Sequence, residues 1–298
     1  MIRGRKLNGP SGEARLDVFT LQACPSSTRG AVRAAIADGR ILLDGRRALK
    51  GAKVCQDSIV EIVELEEASD VRIAPDTSVS PRIVYDDSGL IGADKPAGMA
   101  VQPLSPRETG TLMNGLVAMA PEVADVGDDP LMGGALHRID TWTSGLVLAA
   151  RTDQLWRAMR DLFATRKVRK TYLALVEGRV ERASKVACRL AHDPSRTYCR
   201  MVRSDATDAM YAETSYRPLR AVGGRTLVEA VITTGVTHQI RAQLALDGFP
   251  IVGDPVYGRK APTFGGQALH ALAVEFVHPS TGHVVSIRTE LPAWARAV

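Results

Sequence analysis

Several features that would signal a metal centre, a membrane segment or an oxidising compartment are missing from this chain. No apolar run approaches the roughly 18 to 20 residues that cross a bilayer, so no membrane segment is expected. The four cysteines form no Cys-x-x-Cys pair, and the six histidines show no paired spacing of the metal-binding kind. The sequence therefore predicts a cytoplasmic protein with reduced thiols and no metal.

The chain has no large excess of charge of one sign, but basic and acidic residues are distributed unevenly along it. The formal net charge is +5. Residues 1–60 hold 11 Lys and Arg against 5 Asp and Glu, and residues 151–203 hold 14 against 5. Two basic blocks separated by acidic sequence suggest a polyanion contacted at two places. Ordinary solvated charge would explain the same distribution.

A change in composition divides the chain into two parts. The 298 residues, 45% of them apolar, suit one large or two smaller domains. Residues 64–80 combine acidic, small and proline residues without periodicity, which is typical of a linker. We therefore predict a small domain over residues 1–63, a linker over 64–80 and a larger domain over 81–298.

The first part predicts a helix followed by a hairpin. Thr28 can cap a helix over Arg29–Ala37, in which Arg29 and Arg33 share a basic face. Asp44-Gly45 between two apolar runs is a strong signal for a tight hairpin turn. With Arg15-Leu16-Asp17 and Ile36–Ile41, this order resembles the small αL-type RNA-binding domain of ribosomal small-subunit protein four. The resemblance implies an N-terminal α/β domain that binds RNA, with Arg29 and Arg33 in contact with it.

The second part indicates an α+β fold. Gly145–Ala150 is continuously apolar, as in a buried central strand. Three further segments alternate in polarity like strands, and two are typical of helices. We predict a mostly antiparallel mixed sheet with helices on its flanks. The strands are Tyr172–Val176, Thr226–Ile232 and Val284–Arg288, and the helices are Asp153–Lys167 and Thr237–Leu246.

The clearest candidate for chemistry is His137-Arg138-Ile139-Asp140, directly before the predicted buried strand. An Asp on a loop that enters a central strand is held rigidly and can project into a cleft. The Thr143 and Ser144 hydroxyls are expected to bond loop amides. The alternative is a turn Asp that bonds local backbone, and the segment alone favours that alternative.

Three other segments combine polar or charged side chains. Thr234–Arg241 crowds polar groups at a helix start, where Arg241 could pair with a carboxylate or a phosphate. Arg166–Tyr172 places cations before an aromatic ring, which suits a nucleic-acid backbone. Gly253–Gly258 predicts a rigid turn around Asp254. A capped helix, a solvated charge run and a structural loop are the respective alternatives.

Together these segments resemble the RluA-type pseudouridine synthase family. The matching stretches stand in family order over about residues 82–294. They are Tyr85-Asp86-Asp87 with Asp94–Gly98, His137–Asp140 with Thr143–Leu146, Lys170-x-Tyr172 through Gly178, Thr234–Arg241, Gly248–Gly258, Leu269-His270-Ala271 and His278–Gly282. The resemblance implies an enzyme that isomerises uridine in RNA, with ribosomal RNA favoured and transfer RNA as the alternative, and a monomer.

The resemblance also implies roles for the matching residues. Asp140 would be the catalytic aspartate, Arg241 its ion-pair partner, and Tyr172 the wall against the flipped base and a general base late in the reaction. Arg138 would help to extrude the uridine. The remaining residues expected to contact the substrate are His137, Thr143, Ile240 and Lys170. Lys95 and the basic stretch Arg166, Lys167 and Arg169 would support structure or contact RNA.

The reaction implied by this family needs no cofactor. One glycosidic bond is cut and the uracil is rejoined through carbon 5, so no electrons or groups enter. One carboxylate can act as nucleophile or as base. The chain departs from the family pattern at Val236, where Arg is usual, and at Ala242-Gln243, where Val-His is usual.

Two other function classes remain open. The first is a non-catalytic RNA-binding or ribosome-assembly factor on the same fold, which Val236 favours and the presence of Asp140, Tyr172 and Arg241 opposes. The second is a glycoside hydrolase with Asp140 and Asp254 as its two carboxylates.

Overall fold

Two units, described here separately, make up the chain in the computed structural model. It describes residues 1–67, 70–258 and 266–297. Contacts divide these residues into Met1–Arg72 and Ile73–Val298. Ala68 and Ser69, in the predicted linker, and Val298, the last residue of the predicted second domain, lie outside the described residues.

The first unit is a small four-stranded sheet with two helices. Its main sheet has the order β1-β6-β3-β4, and β2 pairs with β5. Leu16, Val32, Ile36 and Ile62 are buried in its core. The elements are β1 (Ile2–Asn8), β2 (Ala14–Arg15), α1 (Leu16–Ala23), α2 (Arg29–Ala37), β3 (Ile41–Leu43), β4 (Arg46–Arg47), β5 (Lys53–Val54) and β6 (Ile59–Leu65).

The predicted helix and hairpin of this unit are confirmed. The α2 helix spans Arg29–Ala37, and the Thr28 hydroxyl accepts a hydrogen bond from the Ala31 amide at 3.1 Å. Asp44 and Gly45 both have positive φ, at 51° and 74°, as a two-residue turn that follows strand twist requires.

Residues 64–80, predicted to be a linker, are partly ordered into the two units. Strand β6 continues to Leu65, two residues beyond the predicted end of the first domain. Ile73 is buried against the second unit's helix residues Leu112 and Met113. The Ala74 carbonyl accepts a hydrogen bond from Asn114 Nδ2 at 2.7 Å. The second half of the predicted linker therefore packs on the larger unit.

The larger unit is built on a ten-stranded sheet, and the α+β prediction is confirmed. Within the described residues, the sheet order is β12-β11-β13-β14-β10-β15-β9-β8-β7, and β16 pairs with β15. Its strands are β7 (Arg82–Asp86), β8 (Leu90–Lys95), β9 (Ser144–Ala150), β10 (Arg169–Glu177), β11 (Ser184–His192), β12 (Met201–Arg203), β13 (Met210–Val222), β14 (Arg225–Ile232), β15 (Leu269–Val277) and β16 (Val284–Arg288).

Four helices of the described residues accompany this sheet, and two of them are shorter than predicted because the backbone turns left-handed near one end. They are α3 (Leu112–Met119), α4 (Asp153–Ala164), α5 (Gln239–Leu246) and α6 (Ala293–Arg296), with a 3-10 helix at Pro121–Asp125. The φ angles of Arg166 and His238 are 59° and 53°. Because this conformation interrupts a right-handed helix, α4 does not reach Lys167 and α5 does not begin at Thr237. No helix among the described residues is long and apolar enough to cross a membrane.

Strand β9 is apolar from Gly145 to Ala150 because both of its faces are covered. Leu146 and Leu148 belong to the core cluster that contains Met159 of α4. Val147 and Ala149 belong to the cluster that contains Leu116 of α3. Successive side chains of a strand point to opposite faces, so β9 anchors both cores and fixes the loop that enters it.

Candidate active site

A cleft of about 970 Å³ lies where the loop before β9 meets the loop before α5. Its walls include every residue predicted to be catalytic or to contact the substrate, from segments that are distant in sequence. These are His137, Arg138, Asp140, Thr143, Lys170, Tyr172, Ile240 and Arg241.

Asp140 is held by a turn that enters β9. The Thr143 amide donates to the Asp140 carbonyl at 3.0 Å. Gly145 follows with φ of 109°, and a Cβ there would lie 2.2 Å from the Ala271 carbonyl oxygen. Only glycine permits this close approach to β15, which runs parallel to β9. The close backbone contact at Gly145 therefore fixes the path by which the Asp140 loop enters β9.

Arg241 joins Asp140 to a second, deeper carboxylate. Its Nη1 donates to Asp140 Oδ2 at 2.7 Å, and its Nε and Nη2 donate to Asp254 at 2.7 and 2.9 Å. Burial lowers the pKa of Arg241, but the two carboxylates outweigh burial and raise that pKa above its usual value. Arg241 is thus a permanent cation that fixes Asp140.

Asp254 holds Arg241 in place and is too deeply buried to contact a substrate. It is 1% exposed, and its Oδ1 also accepts from the amides of Val256 and Tyr257 at 2.8 and 3.1 Å. Burial raises its pKa, but the bonds from Arg241 outweigh this and lower it, so Asp254 stays ionised. The two carboxylates are separated by one guanidinium, and Asp254 cannot serve as the acid of a glycoside hydrolase.

Tyr172 forms a buried wall of the cleft. It lies in β10 between Ala230 of β14 and Ala271 of β15, and it is 7% exposed. Burial, with a smaller contribution from nearby Asp140, raises the pKa of its hydroxyl well above the usual value. The phenol is therefore neutral at neutral pH, which suits a packing wall and opposes its use as a base in the resting state.

Lys170 lies on the same face of β10, two residues before Tyr172. Its Nζ donates to the Thr234 carbonyl at 2.7 Å and lies 5.5 Å from the centre of the Phe163 ring. Burial lowers its pKa to about 8. Nζ has three hydrogens, so donors remain for an oxygen atom of a bound base.

His137 and Arg138 differ in exposure. Nε2 of His137 accepts from the Leu148 amide at 3.2 Å, which requires the neutral ring. Burial, aided by Lys170 and Arg160, lowers the His137 pKa to about 3. Arg138 is exposed at the cleft. His137 thus ties the loop to β9, and Arg138 is free to reach a substrate.

Gln267 was not predicted, and His238 was named only within the candidate segment Thr234–Arg241, although both approach Asp140. Gln267 Nε2 donates to Asp140 Oδ2 at 3.3 Å and to Thr143 Oγ1 at 2.8 Å. His238 Nε2 lies 3.9 Å from Asp140 Oδ2. The expectation that the Thr143 and Ser144 hydroxyls bond loop amides is wrong, since they bond the side chains of Gln267 and His270.

Comparison with known proteins shows the family of this chain. The family model described as "RNA pseudouridylate synthase" matches residues 89–246, which hold Asp140, Tyr172 and Arg241. The chain belongs to the RluA-type pseudouridine synthase family. Pseudouridine synthases are isomerases, so this protein is an enzyme of that class.

Full-length relatives support this assignment. An "Uncharacterized RNA pseudouridine synthase" of Chloroflexus aurantiacus is 36% identical over 94% of this chain and 87% of its own length. A "Ribosomal large subunit pseudouridine synthase D" of Pseudomonas aeruginosa is 32% identical over 94% of this chain and 89% of its own length.

A solved structure shows the same fold. "Human RNA Pseudouridylate Synthase Domain Containing 1" superposes with a TM-score of 0.58 at 22% identity, over 74% of this chain and 87% of that chain.

Val236 gives the synthase an apolar wall where the family usually has Arg. Its side chain packs against the cluster of Leu190, Met201 and Ala242, together with Tyr257. Its amide donates to Gln239 Oε1 at 3.1 Å, so the backbone at this position remains fixed. The substitution removes a charge from the cleft and leaves the Asp140–Arg241 pair intact.

The residues predicted to contact RNA are exposed, and those of the second unit are not among the residues that line the cleft. Arg29 and Arg33 are exposed on α2 of the first unit. Arg166, Lys167 and Arg169 are exposed after α4, and the Arg166 guanidinium lies 5.0 Å from the centre of the Tyr211 ring. Among the described residues, no cluster of His, Cys, Asp and Glu is suited to a metal.

Lys95 supports the Asp140 loop through hydrogen bonds to backbone carbonyls. Its Nζ is fully buried and donates to the carbonyls of Pro96, Met99 and Thr141 at 2.9, 2.7 and 3.0 Å. Burial lowers its pKa to about 8, with an opposing contribution from Asp140. This one cation joins three carbonyls, and one of them, that of Thr141, directly follows Asp140 in sequence and also accepts from the Gly98 amide at 2.8 Å.

Substitution Lys95→Met should destabilise the synthase by about 2–4 kcal/mol, because three carbonyls lose the ammonium that joins them, although the Thr141 carbonyl keeps its bond from the Gly98 amide. Turnover should fall about tenfold or more as the loop shifts. Denaturant unfolding and pseudouridine formation check both effects. Lys50→Met, at an exposed site, is the control and should change stability by less than about 0.5 kcal/mol. Equal stability of the two variants would contradict the support role.

His270 makes stability depend on pH. It is 2% exposed, its Nδ1 bonds Ser144 Oγ at 2.8 Å, and its Nε2 bonds Thr289 Oγ1 at 2.8 Å. Burial lowers its pKa to about 4. Because the unfolded chain binds this proton near pH 6.5, the stability contributed by neutral His270 is present above that pH and is lost as pH falls towards 4.

The free energy of unfolding should therefore drop by about 2 kcal/mol between pH 7 and pH 5 through His270 alone. His270→Gln keeps a donor and an acceptor but does not titrate, so its own drop should be smaller by that amount. Urea unfolding at the two pH values measures the difference. Identical drops would show that folding does not lower the pKa of His270.

Proposed function

We propose that the synthase isomerises specific uridines in large-subunit ribosomal RNA, with Asp140 as the catalytic carboxylate. One observation carries this proposal: Asp140 stands in the cleft with Oδ2 fixed by Arg241, while its side chain remains 27% exposed. A fixed, accessible carboxylate is what nucleophilic or base catalysis at a sugar or a base requires.

The chemistry balances without any external reagent. The bond between C1′ of the ribose and N1 of uracil breaks, the base turns, and a bond between C1′ and C5 forms. The hydrogen of C5 leaves as a proton, and N1 gains one. Asp140 can take part by attack on C1′, by attack on the ring, or by removal of a sugar proton.

The target uridine must leave its helix to reach Asp140. Arg138 is exposed at the cleft and is suited to enter the vacated place in the stack. Tyr172 and Ile240 are buried wall residues against which a uracil ring can pack. Lys170 offers hydrogen-bond donors to an oxygen of the base. His137 and Thr143 act on the substrate through the loop that they fix.

Ribosomal RNA is favoured over transfer RNA for two reasons. A relative named for the large ribosomal subunit is similar over almost the whole chain. The first unit has a helix and a hairpin, which are compatible with the resemblance to an αL-type RNA-binding domain, and Arg29 and Arg33 are exposed on α2. Arg166, Lys167 and Arg169 would hold further phosphates. The enzyme is proposed to act as a monomer in the cytoplasm, without cofactor or metal.

Mapping of pseudouridines in cells that lack the gene tests this proposal. Specific pseudouridines of large-subunit RNA should disappear and should return when the purified enzyme acts on that RNA. Loss from transfer RNA alone would overturn the ribosomal assignment. A non-catalytic assembly factor, which Val236 favours, would bind the RNA but leave every pseudouridine in place.

A further inference from the structure

The hydrogen bonds to Asp140 are distributed unequally between its two oxygens. Arg241 Nη1 and Gln267 Nε2 both end on Oδ2, at 2.7 and 3.3 Å. His238 Nε2 also lies nearest to Oδ2, at 3.9 Å. No hydrogen bond from the described residues reaches Oδ1. One oxygen is thus immobilised, and the other is left for chemistry.

Sheet topology places Gln267 beside Asp140. Strands β9 and β15 are parallel, and Ser144 pairs with His270. Because parallel strands begin at the same end of a sheet, the residues that precede them lie side by side. Asp140 and Thr143 precede β9, and Gln267 precedes β15. This pairing spans 127 residues of sequence.

The orientation of the Gln267 amide follows from its partners. An ionised carboxylate only accepts hydrogen bonds, so the amide nitrogen must face Asp140. Its second hydrogen goes to Thr143 Oγ1 at 2.8 Å, which anchors the group. Gln267 is 4% exposed and Thr143 is 2% exposed, so water competes little for these bonds. The Gln267 amide is therefore already oriented towards Asp140 Oδ2 in the absence of a substrate.

We propose that Gln267 is a positioning residue that, together with Arg241, directs Oδ1 of Asp140 at the target uridine. This proposal rests on the proposed function of Asp140. The 3.3 Å bond is longer than the usual 2.9–3.0 Å, and catalytic hydrogen bonds commonly tighten only when the substrate is bound. Gln267 should therefore matter more to turnover than to binding.

The variant Gln267→Met, which keeps the side-chain length but removes the donor, tests this role. Its kcat should fall by about 10- to 100-fold, with KM within about threefold of wild type. Thr143→Val removes only the anchor of the amide and should give a smaller loss of kcat. If Gln267→Met does not fold, Thr143→Val decides the question.

The matched control is Gln243→Met. Gln243 is fully buried, accepts from Thr214 Oγ1 at 2.7 Å and donates to the Ala212 carbonyl at 2.8 Å, without contact to Asp140. This variant should lose stability comparable to that lost by Gln267→Met but keep kcat within about threefold. A merely structural role of Gln267 predicts the same kcat for both variants.

Gln267→Glu adds a readout that depends on Asp140 itself. Two carboxylates that share a site resist double ionisation, so the acid limb of the kcat–pH profile should move to higher pH by about one unit or more. An unchanged profile, with Gln267→Met as active as wild type and Asp140→Asn inactive, would overturn the proposal for Gln267 alone. A wild-type enzyme that forms no pseudouridine would instead refute the proposed function.

Discussion

Asp140→Asn should lose at least about 10³-fold in the rate of pseudouridine formation. Asn has the same shape, and its carbonyl oxygen can still accept from Arg241 and Gln267, so the cleft should keep its form. It lacks the negative charge with which a carboxylate attacks carbon or removes a proton. Single-turnover conversion of uridine in unmodified large-subunit RNA measures the loss.

The control for this variant is Asp161→Asn, on the exposed side of α4. Its rate should equal that of wild type, because removal of an exposed charge changes neither fold nor cleft. RNA affinity of Asp140→Asn should stay within about threefold of wild type at fixed salt, since the contacts to phosphates are unchanged. Undiminished isomerisation by Asp140→Asn would remove Asp140 from the chemistry.

Local elements were predictable from the sequence because their signals are local. A capping residue and an apolar spacing gave the bounds of α2, and alternating polarity gave those of β16, without error. Strands β11 and β13 were not predicted. Their outer segments are exposed on both faces near the end of the sheet, so apolar and polar residues do not alternate clearly.

The partners of Asp140 could not be derived from spacing. Arg241 lies 101 residues away and Gln267 127 residues away, and only the parallel pairing of β9 and β15 explains the second contact. The pairing of Arg241 with Asp140 was predicted from family resemblance, whereas its bidentate bond to Asp254 was not. Buried ion pairs depend on how strands associate, and no periodicity in the sequence encodes that association.

Arg241→Met should have the second largest effect, on stability as well as on activity. Asp254 is 1% exposed, and both of its oxygens accept hydrogen bonds from Arg241, its ion-pair partner. Removal of the cation leaves a buried carboxylate without its partner, which typically costs 3–5 kcal/mol. Isomerisation should also fall by about 10²-fold or more, because Asp140 loses its 2.7 Å bond.

The double variant Arg241→Met with Asp254→Leu separates these two effects. Replacement of both charges by apolar groups should recover part of the lost stability, since no buried charge is left unpaired, although the amides of Val256 and Tyr257 lose their acceptor. Activity should not return, because Asp140 still lacks the shorter of the two hydrogen bonds to Oδ2, the one from Arg241. Denaturant unfolding and pseudouridine formation are measured on the single and double variants. Recovery of both stability and activity would mean that Arg241 serves the fold alone and that Asp140 is oriented by Gln267 and the loop before β9.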